Sequence, residues 1–574
     1  MPEQSSYGVL RSAEVNEPAG AIHIGGVLST TTGLRCASSG IFPPSIPSQL
    51  PLRTVTSREK VPLTTELSRI FDVVERWVAE APDREALVFG EQSWTWAQLD
   101  DRIRRAAGAL RASGLGPGDH LAVLDKNHPA CLELTLAASL IGAANVVVNF
   151  RLAPEELAHV LDDSAAHVVV VGAEFAETLG GLRDRLPKVR EVVVLGGDGD
   201  EYEKWLAAAE PVTAPYASAP EDCFLVLYTS GTTGWPKGVM LTQRSMTAHT
   251  RVIAPAYAMD ESTVNVVAMP LFHVGGTSWA LGSMSAGGRT IIVREPVPST
   301  LLCLIESRKA THAYFVTAMV QVLLADPARA RSALRSLKVL AYGGSPMPAP
   351  LIERTLNVLP TSLYSVYGMT ETSGVLCVLG PDEHRHPWRP HLRASAGRPL
   401  PGNEVRVVDP ETGIDVEPGE VGEFWVRSDQ VMAGYWNMPE ATREAITSGG
   451  WLRTGDAGRI DEAGYLYIED RVKDMILSGG GHVYPAEVER ALGQHPDVAE
   501  VAVIGVPDPE GGETVKAVVV LAAGAAVDEA ALIAFTRDRL AHYKSPTSVS
   551  FVPALPRNPN GKVLKRQLRS SFMP

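Results

Sequence analysis

Cysteine is scarce in this chain of 574 residues, and that scarcity limits what the chain can be. Five cysteines occur, at positions 36, 131, 223, 303 and 377, and no two of them form a C-x-x-C pair. Disulfide frameworks and zinc sites both need cysteines at characteristic spacings. The sequence therefore predicts neither of them, and a reducing cytoplasm is the expected location.

Positive charge is also in short supply. Lysine and arginine total 52 against 66 aspartates and glutamates, which gives a formal net charge of −14. Nucleic acids repel a protein of this charge at long range unless a local basic patch holds them. The sequence shows no such patch, so we expect small-molecule partners and no nucleic acid.

Uninterrupted apolar runs of membrane-spanning length are missing as well. The stretch from Ser262 to Gly288 carries no Asp, Glu, Lys or Arg, but Pro270, His273 and several glycines interrupt it. This composition is poorly suited to a spanning helix. Glu3 lies near the start, and no basic segment followed by an apolar one is present there, which argues against a secretory signal.

The chain is long enough for several folded units. Apolar residues make up 45% of it and charged residues 21%, as in folded globular proteins. At roughly 150 residues per domain, the length corresponds to about three or four units. Residues 1–62 are rich in Ser, Thr, Gly and Pro and show no helical or strand period, so they are predicted to form a flexible extension outside the fold.

Strand-like and helix-like segments alternate from Leu67 onward. Short runs such as HLAVLD, ANVVVN and HVVVVG are separated by helical patterns such as ACLELTLAASLIG and PEELAHVLDDS. This alternation predicts an α/β fold with mostly parallel sheets covered by helices. Residues 404–435 look instead like turn-linked antiparallel strands, and a second α/β pattern follows Asp470. We therefore predict a large domain over residues 63–469 and a small domain over residues 470–574.

A string rich in glycine and hydroxyl groups follows the apolar run at residues 224–227. It reads YTSGTTGWPKG over residues 228–238, and the segment after it is predicted to be helical. Glycines let a backbone wrap around phosphate oxygens, while hydroxyls and a lysine supply donors and positive charge. The Walker A spacing G-x-x-x-x-G-K-[ST] is not met, because Lys237 lies between a proline and a glycine. Taken alone, the string fits a nucleotide loop and a mobile Gly/Thr linker equally well.

Further strings downstream favour the nucleotide loop. YGGS at residues 342–345 follows an apolar run, and YGMTET at residues 367–372 places a hydroxyl beside a carboxylate, as a magnesium triphosphate site requires. Gly455-Asp456 offers a carboxylate to ribose hydroxyls. DRVKD then occupies residues 470–474, and NPNGK at residues 558–562 places a lysine on a turn.

In this order, the strings resemble those of the adenylate-forming superfamily, which includes acyl-CoA synthetases, firefly luciferase and the adenylation domains of peptide synthetases. The resemblance covers about residues 67–569. It implies a large N-terminal domain of mostly parallel sheets with a small β-barrel-like subdomain, followed by a small, mobile C-terminal α+β domain. It also implies an AMP-forming acid–thiol ligase of the acyl-CoA synthetase branch, which uses ATP, Mg²⁺ and coenzyme A.

The resemblance assigns nucleotide-binding roles residue by residue. The Thr/Ser/Gly loop is implied to bind the β- and γ-phosphates, and Tyr367 to lie near the adenine. Mg²⁺ is assigned to Thr229 and Glu371, and catalysis to Lys562, Thr370 and Glu371. The full ATP/AMP set is Thr229, Ser230, Gly231, Thr232, Thr233, Gly234, Lys237, Gly344, Ser345, Tyr367, Gly368, Thr370, Asp456, Arg471 and Lys562.

The same resemblance implies two half-reactions performed by one rotating domain. Lys562 would reach the junction of the carboxylate and the α-phosphate, where a cation relieves the repulsion between two anions. Asp470 would be the hinge for the rotation. Many acyl-CoA synthetases have Glu-Asn where this chain has Gly481-His482. The resemblance therefore implies less about the tunnel through which the coenzyme A thiol would enter. The residues assigned to the coenzyme A side are Lys473, Ser478, Gly479 and Gly480.

The acid-binding pocket is implied to include His273, Gly275, Gly276, Thr317 and Gly343. Adenylation domains for α-amino acids usually carry Phe-Asp where this chain has Phe-His, so an amino-acid substrate is disfavoured. These glycines, together with Gly344, are predicted to leave room for a long or bulky acid. The preferred expectation is a medium- or long-chain fatty acid. An aryl or steroid side-chain acid, and a carrier protein in place of coenzyme A, remain as alternatives.

Two expectations concern the setting of the enzyme. A lipid substrate would bring peripheral contact with a membrane, and a homodimer is compatible with everything in the sequence. Deleting residues 1–60 is expected to leave acid-dependent ATP–pyrophosphate exchange unchanged, because that segment carries none of the strings above. The exchange rate of the truncated chain, compared with the full chain, checks this expectation. An insoluble or inactive truncated protein would contradict it.

Overall fold

The computed structural model describes residues 67–229, 235–478, 481–507, 513–557 and 563–572. For Lys473, Leu477, Gly481 and His482 it describes the backbone alone. The predicted extension, residues 1–62, lies outside the described residues.

The strands follow the short β-branched runs of the sequence closely. HLAVLD, ANVVVN and HVVVVG all fall on strands, as predicted. In chain order the strands are β1 (Glu85–Phe89), β2 (Gln92–Thr95), β3 (His120–Leu124), β4 (Ala144–Val147), β5 (Ala166–Gly172), β6 (Glu191–Leu195), β7 (Cys223–Thr229), β8 (Lys237–Thr242), β9 (Val264–Val267), β10 (Arg289–Ile292), β11 (His312–Val316), β12 (Val339–Gly343), β13 (Ser362–Met369), β14 (Gly374–Leu379), β15 (Arg398–Pro399), β16 (Glu404–Val408), β17 (Gly422–Arg427), β18 (Gly434–Tyr435), β19 (Leu452–Ile460), β20 (Leu466–Arg471), β21 (Ile476–Ser478), β22 (Gly481–Val483), β23 (Val498–Pro507), β24 (Glu513–Leu521) and β25 (Ser548–Phe551).

Several of the helices begin at residues with side-chain capping. Thr95 starts one of them with a capping box, in which its hydroxyl accepts from the Gln98 N–H and the Gln98 side chain accepts from the Thr95 N–H. In chain order the helices are α1 (Asp72–Glu80), α2 (Trp96–Ala112), α3 (Pro129–Ile141), α4 (Pro154–Asp163), α5 (Ala176–Leu182), α6 (Glu201–Ala208), α7 (Gln243–Ala256), α8 (Val274–Ser285), α9 (Pro298–Arg308), α10 (Thr317–Leu323), α11 (Pro327–Ala333), α12 (Ala349–Val358), α13 (Pro381–His384), α14 (Pro439–Ala445), α15 (Pro485–Leu492), α16 (Glu529–Arg537) and α17 (Lys565–Phe572).

Two large sheets form the body of the protein. One has seven strands in the order β18-β8-β7-β4-β3-β5-β6, and the other has nine in the order β15-β14-β13-β12-β11-β9-β10-β1-β2. Their central strands pair in parallel, and antiparallel strands lie at the edges. The two faces of the nine-stranded sheet belong to separate buried clusters, one containing Tyr314 and Ala341 and the other Phe315 and Leu340. Both faces are therefore covered, as parallel sheets require.

Two smaller units follow the large sheets. Residues 404–471 contribute a four-stranded antiparallel sheet in the order β16-β17-β19-β20, in agreement with the turn-linked pattern of the sequence. The C-terminal part consists of the hairpin β21-β22 and the three-stranded sheet β23-β24-β25, with α15 to α17 beside them. The predicted α/β class, with a large N-terminal domain and a smaller C-terminal one, is confirmed. No helix among the described residues combines the length and apolar character needed to span a bilayer.

Candidate active site

Predicted site residues gather at one edge of the nine-stranded sheet. Strands β9, β11, β12 and β13 are parallel neighbours, and His273, Thr317, Gly344 and Thr370 come shortly after their last residues. In sheets of this kind, ligands bind outside the carboxyl ends of the strands. The fold thus brings together residues that are far apart in the sequence.

The phosphate-loop string connects two antiparallel strands. Thr229 ends β7 and pairs with Lys237, the first residue of β8. The prediction that a helix follows the string directly is wrong, because Val239 and Leu241 are buried in the sheet as part of β8, and α7 begins only afterwards. The loop residues Ser230, Gly231, Thr232, Thr233 and Gly234 lie outside the described residues, so their phosphate contacts remain a prediction.

Tyr435 links the phosphate loop to the Y-G-M-T-E string. The Lys237 Nζ lies 5.0 Å from the centroid of the Tyr435 ring. The Tyr435 hydroxyl donates a hydrogen bond to Glu371 Oε1 at 3.0 Å. Burial raises the pKa of Glu371, and the hydrogen bonds to its carboxylate offset part of that effect. A cation near this buried carboxylate would therefore stabilise its charged form.

Glu371 and Thr229 are the donors predicted for Mg²⁺. Within the described ranges, no group of three or more His, Cys, Asp and Glu side chains forms a ready metal site. Mg²⁺ commonly binds through one or two carboxylates together with substrate phosphates and waters. The buried Glu371 carboxylate fits that pattern, so the assignment of Mg²⁺ to Glu371 and Thr229 stands as a prediction.

Three predicted nucleotide residues form one hydrogen-bonded unit. The Tyr367 hydroxyl donates to Asp456 Oδ2 at 2.7 Å, and Arg471 Nε pairs with Asp456 Oδ1 at 2.8 Å. Strands β19 and β20 place Asp456 and Arg471 opposite each other in register. Burial and then the neighbouring carboxylate raise the pKa of Tyr367. Burial alone would lower the pKa of Arg471, but Asp456 together with other acidic neighbours raises it overall, so both side chains keep their protons.

Two predicted acyl-site residues, His273 and Thr317, make hydrogen bonds to backbone groups at the carboxyl edge of the sheet. His273 precedes α8, and its Nδ1 accepts the N–H of Gly275 at 3.0 Å. Burial lowers the pKa of His273, so the ring is neutral and its proton lies on Nε2. Thr317 Oγ1 donates to the Ser345 carbonyl at 3.0 Å and joins the ends of β11 and β12. His273 therefore acts as a helix cap, and its role beside the acid stays a prediction.

The predicted open volume is wrong for Gly275, Gly276 and Gly343, whereas the atom nearest to a Cβ on Gly344 is 3.7 Å away. A Cβ on Gly276 would lie 2.3 Å from a backbone oxygen, and one on Gly343 would lie 2.8 Å from a backbone oxygen of β13. On Gly275, a Cβ would lie 3.0 Å from the Tyr314 ring, whose hydroxyl is also 2.9 Å from the Cβ position of Gly343. These glycines allow chain segments to approach closely instead of leaving empty space. Tyr314 thus forms a wall at this end of the site.

The two residues of the predicted hinge, Asp470 and Arg471, bind partners in different parts of the chain. Asp470 Oδ2 accepts the N–H of Ala486 at 2.8 Å and lies 3.4 Å from Lys565 Nζ, and both partners belong to the C-terminal part. The next residue, Arg471, is bound to Asp456 of the large domain. A rotation about the bonds between residues 470 and 471 would break both sets of contacts, because each side chain binds a partner on the far side of the boundary. The hinge at residues 470–471 remains a prediction.

The structure describes some of the remaining predicted site residues and leaves others outside the described ranges. Gly368 lies on β13, where a Cβ would be 1.9 Å from the Gly374 carbonyl oxygen, so a larger residue cannot replace it without a shift. Ser478 ends β21 and is buried. The residues Gly479, Gly480 and Lys562 and the side chain of Lys473 lie outside the described part, and their roles stay predictions.

Sequence reasoning missed two aromatic residues of the site. Tyr435 follows Glu371 by 64 residues, and Tyr314 lies inside an ordinary apolar strand. Neither residue belongs to a recognisable string. Only the pairing of β18 with β8 brings Tyr435 beside Lys237.

Comparison with known protein families agrees with this arrangement. A family model described as AMP-binding enzyme matches residues 74–436, and one described as AMP-binding enzyme C-terminal domain matches residues 487–562. The chain belongs to the AMP-binding enzyme family. It is an adenylate-forming enzyme of the CoA-ligase branch, that is, an AMP-forming acid–thiol ligase.

Relatives and solved structures extend over nearly the whole described chain. Feruloyl-CoA synthase of an Amycolatopsis species is 40% identical over 498 residues, covering 86% of this chain and 96% of the relative. Fatty acid–[acyl-carrier-protein] ligase ScoC of Streptomyces coeruleorubidus is 36% identical over 497 residues, covering 86% and 94%. ATP-bound MatB from Rhodopseudomonas palustris has a TM-score of 0.80 at 31% identity, covering 88% and 99%. The predicted membership of the adenylate-forming superfamily is confirmed.

Proposed function

We propose that this ligase activates an aromatic carboxylic acid with ATP, releasing pyrophosphate, and transfers the acyl group to coenzyme A, giving acyl-CoA and AMP. The observation that carries the choice of acid is the Tyr314 wall, which contacts the start of α8 and the end of β12. Flat aromatic walls favour planar rings, which stack on them or meet them edge to face. An aromatic acid is therefore preferred here to the medium- or long-chain fatty acid that the sequence favoured.

The surroundings of Tyr314 support this choice. The Trp279 ring centroid lies 5.7 Å from that of Tyr314, and the Tyr257 centroid lies 5.0 Å from that of Trp279. Three of the four glycines expected to admit a long chain, Gly275, Gly276 and Gly343, are closely packed instead. Similarity to a feruloyl-CoA synthase points in the same direction, because that relative's name specifies an aromatic acid.

The first half-reaction would use residues around the phosphates and the ribose. Thr229, Lys237 and the loop between them would bind the phosphates, and Thr370 would contact the α-phosphate that the carboxylate attacks. Glu371 would hold Mg²⁺, which when bound neutralises charge on the phosphates. The Asp456 carboxylate, fixed by Tyr367 and Arg471, would accept from the ribose hydroxyls. Lys562 would neutralise charge at the reacting phosphorus.

In the second half-reaction, the C-terminal domain would turn about residues 470–471. The rotation would withdraw Lys562 and bring Ser478, Gly479, Gly480 and Lys473 towards the incoming thiol. The contacts of Asp470 and Arg471 cross the hinge in opposite directions, so the rotation would break both of them.

The proposal is tested by ATP–pyrophosphate exchange with a panel of acids, followed by thioester formation with coenzyme A. Ring acids such as benzoate, cinnamate and 4-hydroxycinnamate are expected to give kcat/KM values at least about tenfold above those of octanoate and hexadecanoate, since a pocket closed by rings excludes flexible chains. A preference for hexadecanoate would contradict the aromatic substrate. Exchange with none of the acids would contradict the choice of acid class altogether.

A second candidate is the loading of a fatty acid onto a carrier protein. It is favoured by the 36% identity to ScoC, whose name specifies that reaction. The two candidates separate when octanoate and cinnamate are each offered with coenzyme A or with a phosphopantetheinylated acyl carrier protein. Thioester on the carrier protein alone would support the second candidate, and aromatic thioester on coenzyme A supports the first.

A further inference from the structure

The residues just before Asp456 form a bulge between strands β17 and β19. Two pairs in register flank it, Glu423 with Ala457 and Trp425 with Arg453. Three residues of β19, Thr454 to Asp456, therefore lie opposite a single residue of β17. Extra residues in one strand bend it and turn its side chains in a new direction. The bulge thus aims the carboxylate that is proposed to accept from the ribose hydroxyls.

Side chains hold the backbone of this bulge where the ladder of the sheet is interrupted. The Thr454 hydroxyl donates to a carbonyl of β17 at 2.8 Å and accepts the Asp456 N–H at 3.1 Å. Arg471 Nη1 donates to the Thr454 carbonyl at 3.2 Å. The Gly455 N–H donates to Glu423 Oε1 at 2.9 Å. These bonds stand in for the strand pairing that is missing, so the shape of the bulge depends on them.

Glu423 is a buried carboxylate with two neutral donors. It is 6% exposed, and its second oxygen, Oε2, accepts the indole N–H of Trp425 at 2.8 Å. Burying a carboxylate is costly unless hydrogen bonds compensate it, so both bonds matter to the folded state. Gly455 has a φ of 69°, in the left-handed region that favours glycine, and it turns the chain immediately before Asp456. Glu423 therefore fixes the turn that precedes the ribose carboxylate.

Asp456 is consequently held at both its side chain and its backbone. Tyr367 donates to its Oδ2, and Arg471 donates to its Oδ1. Each carboxylate oxygen can accept about two hydrogen bonds, so one acceptor direction remains on each oxygen. The two remaining directions match the two hydroxyls of a ribose. Because hydrogen bonds weaken steeply when their angles are poor, this match requires a fixed backbone at Asp456.

We propose that Glu423 and Thr454 are positioning residues for nucleotide binding: they fix the bulge so that the Asp456 carboxylate faces the ribose hydroxyls of ATP. This inference rests on the proposed role of Asp456. Glu423 contacts the Gly455 backbone and an indole ring, so it acts on the nucleotide through Asp456. Its loss should weaken the contacts to the ribose and leave the phosphates and the acid in place.

The test compares ATP with 2′,3′-dideoxy-ATP in pyrophosphate exchange at a saturating concentration of the preferred acid. The wild type is expected to prefer ATP by about 10²-fold in kcat/KM, because a site built for hydroxyls rejects an analogue that lacks them. Glu423→Gln is expected to lower kcat/KM for ATP about tenfold and for the dideoxy nucleotide no more than about twofold. The glutamine amide can accept only one of the two N–H groups, so the bulge shifts, and only ATP uses the shifted carboxylate. The KM for the acid is expected to stay within about twofold of the wild-type value.

Trp425→Phe is the matched control, because it removes the other donor to Glu423 and keeps the bond to Gly455. Its melting temperature is expected to fall, whereas its preference for ATP is expected to stay at the wild-type value. A second pair of variants tests the bulge without changing Glu423. Thr454→Val removes the hydroxyl that binds the Asp456 N–H and is expected to lose the preference for ATP, while Thr454→Ser keeps both the hydroxyl and the preference.

Asp456→Ala supplies a background in which the positioning residues can have no effect on the ribose. On its own, this change is expected to lower kcat/KM for ATP to the level seen with the dideoxy nucleotide. Adding Glu423→Gln to it is expected to lower kcat/KM for ATP no more than about twofold further, because the two changes remove the same contact.

The possible outcomes separate the positioning role from the role of Asp456. A wild type that prefers ATP, with Glu423→Gln and Thr454→Val keeping that preference, would overturn the positioning role alone. Equal losses on both nucleotides, or a lost preference in Trp425→Phe, would make Glu423 a packing residue and overturn it as well. A wild type that uses both nucleotides equally would contradict the ribose contact of Asp456, and the positioning role would fall with it. If Glu423→Gln does not fold, the comparison of Thr454→Val with Thr454→Ser decides the question.

Discussion

Lys562→Ala is expected to lower the rate of adenylate formation about 10²- to 10³-fold, the range typical for removing one charge-stabilising contact from a transition state. The carboxylate and the α-phosphate are both anionic, and negative charge builds up on the bridging and leaving oxygens as the bond forms. Neutral alanine can relieve neither effect. ATP–pyrophosphate exchange with the preferred acid measures this step without coenzyme A.

The same variant is expected to retain most of the second half-reaction. When a synthetic acyl-adenylate and coenzyme A are supplied together, thioester formation does not need the cation at the phosphorus. Arg566→Ala is the matched control, because Arg566 is an exposed cation four residues further along, and both half-reactions should keep their wild-type rates. Equal losses in the two half-reactions of Lys562→Ala would refute the assignment, since a lysine with a general structural role would produce that pattern.

Much of the fold could be predicted from the sequence because its signals are local. Strands such as β3 and β5 are buried on both faces of a parallel sheet. Their sequences, HLAVLD and HVVVVG, are therefore short, almost continuous apolar runs, which predict strands. Stretches such as PEELAHVLDDS show helical spacing and start at a proline in the first turn. The segment after Lys237 was mispredicted because its buried residues, including Val239 and Leu241, suit both a strand and a helix.

The nucleotide half of the site was predicted better than the acid half. Asp456 and Arg471 occur in strings whose chemistry identifies them, and register then places them opposite each other. The acid half depends on volume, and volume depends on neighbours that are distant in sequence. Gly343 suggested open space, but the side chain of Tyr314 and a backbone oxygen occupy it. A glycine in a sequence signals that a Cβ is excluded, and only the fold shows what excludes it.

The contact between Tyr435 and Glu371 illustrates the same limit. Strand β18 has only two residues and sits at an edge of the seven-stranded sheet, while Glu371 follows β13 in the nine-stranded sheet. No local pattern relates the two. Their hydrogen bond exists because the sheets pack together, and it determines the environment of the carboxylate proposed to hold Mg²⁺.

Glu371→Gln is expected to lower ATP–pyrophosphate exchange about 10²-fold and to raise the Mg²⁺ concentration needed for half-maximal rate, because a neutral amide cannot replace a carboxylate as a ligand of a hard dication. The amide keeps nearly the same shape, and its oxygen can still accept from the Tyr435 hydroxyl. Exchange measured over a range of Mg²⁺ concentrations checks both expectations.

Stability separates this role from a structural one. Glu371 is 8% exposed, and burial raises its pKa, so its charge is held at a cost in the absence of a cation. The melting temperature of nucleotide-free Glu371→Gln is therefore expected to equal or exceed that of the wild type. Tyr435→Phe is the companion variant: it removes the hydroxyl and keeps the carboxylate, so exchange should fall less than about tenfold, without a change in the Mg²⁺ requirement. If Glu371→Gln instead unfolded several degrees earlier and kept its Mg²⁺ requirement, the carboxylate would have to be a packing element, and the metal would have to bind elsewhere.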